Sequence, residues 1–201
     1  MKKLTFLFIL CVFTSSIYAQ NSKGDFTLAP KVGLNLSNYF EFESDVSYKS
    51  RLAPNFGVIG EYFFSEKWSA RSGITYENMG VKDSYDGKDK LQYITIPLNA
   101  SLHFGNKNNW YFNFGTTIAF LTNAVYEDTN GNEYDIKEAL ANNDFGINYG
   151  LGYSFRVAEK VSLFIDYQEF FGFINPDKAD AIPFTILNTK SSINVGAILT
   201  L

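Results

Sequence analysis

The stretch Leu91–Phe104, LQYITIPLNASLHF, decides how the rest of the chain is read. Gln92, Ile94, Ile96, Leu98, Ala100, Leu102 and Phe104 share one side, and Tyr93, Thr95, Pro97, Asn99, Ser101 and His103 share the other. Side chains alternate across a strand, so this segment has one apolar face and one face of mostly small, polar residues. It is too polar for a membrane helix, and its length matches the ten or so tilted residues that carry a strand across a bilayer.

Seven further segments repeat the design. They are Phe26–Ser37, Arg51–Phe64, Trp68–Gly80, Trp110–Leu121, Asp144–Phe155, Val161–Phe171 and Thr189–Leu201. Phe145, Ile147, Tyr149, Leu151, Tyr153 and Phe155 alternate with Gly146, Asn148, Gly150, Gly152 and Ser154, for example. The connections alternate long and short. Asn38–Ser50, Val81–Lys90, Thr122–Asn143 and Gly172–Asn188 are long; Ser65–Lys67, Gly105–Asn109 and Arg156–Lys160 are turns. Within the long loops, Asp86-Gly87 is a turn signal and Ile136–Ala141 suits one helical turn. Eight antiparallel strands with this asymmetry predict an all-β, up-and-down transmembrane β-barrel, with short periplasmic turns, long extracellular loops and both termini periplasmic.

Alternation alone also fits a soluble lipocalin-like ligand-binding barrel, which has an apolar inside and a wet outside. Composition decides. Charged residues are 19% of the 201 and aromatics 17%, with 20 Phe and 13 Tyr. The polar faces carry Gly, Asn, Ser, Thr and Ala where a water-facing sheet would carry many Lys and Glu. Trp68 and Trp110 follow short turns, and Tyr62, Phe64, Phe104, Tyr153 and Phe155 fall near the same end, as an interfacial aromatic girdle does. Backbone groups in lipid must all be paired, so the sheet must close.

The first 19 residues read as a signal peptide: Lys2 and Lys3, an apolar run Leu4–Phe13, then a polar end closing on Ala19. Residues 20–201 are then one barrel domain exported to the outer membrane. Cys11, the single cysteine, lies in the leader, where the bulky Ile9 and Leu10 do not suit lipidation. The mature chain has no thiol chemistry. Its 15 basic residues, after loss of Lys2 and Lys3 from 17, against 21 acidic give a formal charge of −6. No basic cluster follows, so nucleic-acid binding has no footing.

The segments YITIPLNASLHF, WYFNFGTTIAFL and DFGINYGLGYSF resemble the PorT-like outer-membrane β-barrel proteins of Bacteroidota, and the leader ending in Tyr-Ala-Gln resembles them too. The resemblance spans the mature chain. It implies an eight-stranded barrel inserted by the barrel assembly machinery and bathed in outer-membrane lipid. A secretion or envelope partner is implied for the namesake, but a barrel motif does not carry that role over. The chain ends in Leu201, where such barrels most often end in an aromatic.

The charges expected inside the lumen are Lys31, Arg51, Glu61, Arg71, Glu77, Asp144 and Asp166. A turn centred on Glu66 sets Glu61 opposite Arg71, which predicts a cross-strand pair. Eight strands leave an interior just filled by side chains, so these groups read as a structural network. His103 is the sole histidine and sits beside a short turn, so no serine–histidine–acid set forms at the long-loop rim. Asp128, Asn130, Asn132 and Asp135 depart from a calcium loop, because Gly131 comes two places early and no acid takes the twelfth position. An Asn-Gly turn explains them. Gly150-x-Gly152 lacks a third glycine and reads as small-residue packing, not a nucleotide site. No catalytic, cofactor or metal site is expected. The expected function is a non-enzymatic structural, binding or secretion-associated role, with a small-solute pore and the lipocalin-like barrel as alternatives.

Overall fold

The computed structural model describes residues 22–41, 48–178 and 184–201. The leader, with Cys11, and the middle of two long loops lie outside the described residues. Eight long strands make the wall: β1 Phe26–Glu41, β2 Lys49–Phe63, β3 Trp68–Met79, β5 Lys88–Phe104, β6 Trp110–Glu127, β8 Asn143–Ala158, β9 Val161–Gly172 and β10 Ile186–Thr200. Two short strands, β4 Val81–Lys82 and β7 Glu133–Asp135, sit in the long connections. Each long strand pairs antiparallel with the next, and β10 pairs back onto β1 from Thr27↔Thr200 to Glu41↔Ile186. The ring is therefore closed, and no long strand has a bare edge.

All eight segments read from the alternation are strands, but several run further than their apolar faces. β5 starts three residues before Leu91 and β6 continues to Glu127. Much of what the sequence marked as loop is strand continued past the membrane. The hairpin β6–β7 turns at Asp128–Asn132, where Gly131 takes φ 85°, a left-handed conformation that glycine adopts without cost. The expected helical turn in the same loop is a 3-10 turn, Lys137–Ala139.

The outer wall carries the apolar set. Leu52, Ile74, Val32 and Ile193 are each between 58% and 63% exposed, and their neighbours continue the belt. A surface this apolar far exceeds the patches that water-soluble monomers tolerate. Aromatics flank it at both rims. At the turn end, the Trp110 and Tyr153 rings meet edge-on at 5.0 Å, and Trp68 meets Phe114 at 6.5 Å. At the loop end, Phe40 and Phe173 both pack against Phe171, and Phe145 packs against Phe173.

Candidate functional site: the charged lumen

The inward faces of the strands place the functional side chains, and the register decides which of them meet. Glu61 and Arg71 are directly opposed in the β2–β3 ladder and both point inward, as expected. They do not close an ion pair with each other. Arg71 reaches across the lumen instead, its Nη2 lying 3.4 Å from Asp166 Oδ2, with its guanidinium 4.9 Å from the centre of the Tyr111 ring. Tyr111 donates to the same Asp166 oxygen at 2.9 Å, and Asn194 donates to the other at 2.8 Å. A barrel brings distant strands face to face, and the shorter reach across it won over the ladder neighbour. Gly152 makes this possible, since a Cβ there would lie 2.1 Å from the Tyr111 ring.

Glu61 is held by Ser69, which donates at 2.5 Å, and by His103 Nε2 at 2.8 Å. Ser69 Oγ also lies 3.2 Å from that nitrogen. Serine, histidine and acid therefore do meet, at the turn end. Yet both partners share Nε2, whereas a relay needs the acid to orient the ring from its other nitrogen. Ser69 is fully buried, and Phe63 and Tyr111 pack on the imidazole. The trio is a buried clasp.

A second layer centres on Glu77. Lys190 Nζ lies 3.0 Å from its carboxylate and Lys31 Nζ lies 3.8 Å away. Asn35 donates to Glu77 at 2.7 Å and Thr75 at 3.0 Å. Asn35 spends its own carbonyl on Asn55 at 2.7 Å and Ser192 at 2.8 Å. Lys190 was not among the expected lumen charges. Its parity with Ser192 and Asn194, opposite the apolar Ile193 and Val195, was the signal that could have found it.

The other two expected charges lie toward the loop end. Asp144 accepts from Asn188 at 2.9 Å and from the backbone N–H of Phe145 at 2.8 Å. Arg51 donates to the Met79 carbonyl at 2.6 Å. Around them the lumen changes character. Tyr39, Met79, Val81, Leu91, Tyr93, Leu121, Phe170 and Ile186 form a buried apolar cluster, roofed by Tyr48, Ile136, Leu140 and Phe184 from the loops. Between this cap and the Arg71 layer lies a cavity of about 60 Å³.

Outside the wall, Asp128 accepts from the backbone N–H groups of Asn130 and Asn132 and from the Asn132 side chain, all within 2.9 Å. These bonds favour its charged form and lower its pKa. The carboxylate is committed to its own turn. Among the described residues no group of three or more His, Cys, Asp or Glu is arranged to hold a metal ion.

A closed eight-stranded antiparallel ring with an apolar outside and a charged, hydrogen-bonded inside is the architecture of an outer-membrane β-barrel. The chain belongs to the outer membrane protein beta-barrel domain family, whose model matches residues 18–176. It is similar in fold to the outer membrane protein OprG from Pseudomonas aeruginosa, with TM-score 0.55 and 13% identity over 92% of this chain and 99% of that one. It is also similar to Neisserial surface protein A, with TM-score 0.51 and 12% identity over 89% of this chain and 98% of that one. At such identities the likeness is one of fold. No curated protein matches the chain.

Proposed function

We propose that the protein is a closed, non-enzymatic barrel of the outer membrane that works by holding a partner or ligand at its loop end, and not by passing solute. Residues 1–19 serve as its signal peptide and 20–201 as the barrel. The turn end, with both strand termini, faces the periplasm, and the long connections face the medium. The strand motifs support kinship with the PorT-like group of Bacteroidota, and an envelope or secretion protein is a candidate partner.

One observation carries this reading: the lumen is crossed by two charged layers and capped by a packed apolar cluster. A pore would need a continuous wet path. A ligand-binding barrel of the lipocalin kind would need a roomy apolar cavity, whereas the one here is about 60 Å³ and mixes Ile59, Met79 and Phe170 with ions and amides. Purified protein in planar bilayers is expected to give no steady conductance, and protease added to intact cells is expected to cut only in the long connections. Stable open-channel steps would replace the proposal with the pore. Cutting at the short turns of intact cells would reverse the orientation.

A further inference from the structure

The cavity between the two charged layers has a chemistry that the network around it does not use up. We infer that it is a binding site for a small monovalent anion of the halide class, held by Lys31, Asn113 and Gln168.

Lys31 supplies the charge. Its side chain is 9% exposed, and the single ion pair that it makes among the described residues is long, at 3.8 Å. An ammonium has three N–H donors, and a buried one needs acceptors closer than that. Lys190 already holds the Glu77 carboxylate at 3.0 Å, and Asn35 and Thr75 take up more of its acceptor capacity. Glu77 keeps one acceptor site, on Oε1, and Lys31 approaches that oxygen only to 3.8 Å.

The amides supply the direction. Asn113 Nδ2 and Gln168 Nε2 are buried, line the same cavity and have no hydrogen-bond partner. Asn113 is paired through its Oδ1 with Asn99 Nδ2 at 3.1 Å. Whichever way these two amides are turned, one N–H group and one carbonyl are left over. Buried donors without a partner point to a guest that accepts.

Of the charged side chains facing the cavity, Lys31, Arg71 and Lys190 are cations and Glu77 and Asp166 are carboxylates. Glu61, opposite Arg71 in the ladder and bound to Ser69 and His103, supplies the third negative charge from just outside it. Glu169 borders the cavity, but its carboxylate accepts from Tyr167 and Ser191, on the outer wall. A volume of about 60 Å³ has room for about four water-sized guests, enough for one halide and a water on the spare Asn99–Asn113 carbonyl. A guest much larger than about four waters, such as a sugar acid, does not fit.

The test uses bromide, which scatters anomalously. The protein, folded and crystallised in sodium bromide, is expected to show an anomalous peak in the cavity beside Lys31 Nζ. Folding in bromide is expected to raise the thermal midpoint above that in sodium gluconate at equal ionic strength. Water density with no anomalous peak overturns the site. So does a Lys31→Met variant that folds and keeps the peak. The wild-type crystal decides the matter even if the variant fails to fold.

Discussion

The two halves of the lumen obey opposite rules, and β5 shows where the rule changes. Along its turn-end part, Ile94, Ile96 and Leu98 point out and Thr95, Asn99 and Ser101 point in. Along its loop-end part, Leu91 and Tyr93 point in and are buried, while Lys90 and Gln92 point out. Along β5 the phase of the alternation never shifts, although its partner β6 takes one extra residue, Thr122, at the level of Gln92 and Tyr93. What shifts is the medium behind the wall. Where lipid is outside, apolar residues go out and the interior must satisfy its own polar groups. Where water is outside, apolar residues go in and the interior becomes an ordinary core. One strand thus carries a membrane protein and a soluble protein end to end.

Substitutions that remove one member of each half separate these regimes. The largest effect is expected from Glu77→Leu, which strands Lys31 and Lys190 in the lumen. Breaking a buried pair on one side costs about 3–5 kcal/mol, read as a drop in the urea midpoint of the protein folded in micelles. Leu91→Ala hollows the loop-end cluster and is expected to cost about 2–5 kcal/mol. It differs in kind, because limited proteolysis of the Thr122–Asn143 connection should accelerate while the turn end stays protected. Equal protection at both ends in this variant would mean that the halves are not separable. Ile165→Arg, on the lipid-facing wall, is expected to cost about 2–4 kcal/mol in a bilayer if it lies near the midplane.

The smallest effect concerns the exposed hairpin. The Asp128 carboxyl is held below its ordinary value of 3.8 by the Asn132 and Asn130 donors. A depressed folded-state pKa contributes stability above the unfolded value, and that contribution is lost as pH falls through the folded one. The β6–β7 turn should therefore loosen only below about pH 3.8, the ordinary carboxyl value. A carboxyl-carbon NMR titration of Asp128 with its midpoint at or above 3.8 would contradict this.

The barrel was legible because its signal is repeated eight times and each copy has period two. Ring closure followed from the need to pair every backbone group in lipid, and strand order and the Glu61–Arg71 register from the turns. The ion pairs were not legible, since Arg71 chose between an adjacent carboxylate and one on β9, and only the cross-section of the barrel ranks those distances. Lys190 was missed because it lies between the expected strand start at Thr189 and Ile193, the first residue read into the apolar face. The loop-end cluster was missed for a different reason. Leu91 and Tyr93 sit on the small, polar side of the opening stretch, and that exception was itself the mark of the wall leaving the membrane. Likewise the Ser69–His103–Glu61 clasp joins three strands whose contact no local pattern announces.

The seam between β1 and β10 has a consequence for how the molecule assembles. Lys31 lies on the first strand, Lys190 on the last, and Glu77 on the third. Asn35 and Ser192, 157 residues apart, bond across the same seam. Contacts this distant in sequence are slow to form, because a long loop must close before they return anything. Until that moment Glu77 lacks Lys190, and the charged layer is incomplete in every open or partly zipped form. The interior therefore acts as a latch on the perimeter: a half-closed barrel gains little from either, and the final strand both seals the ring and neutralises its centre in one step.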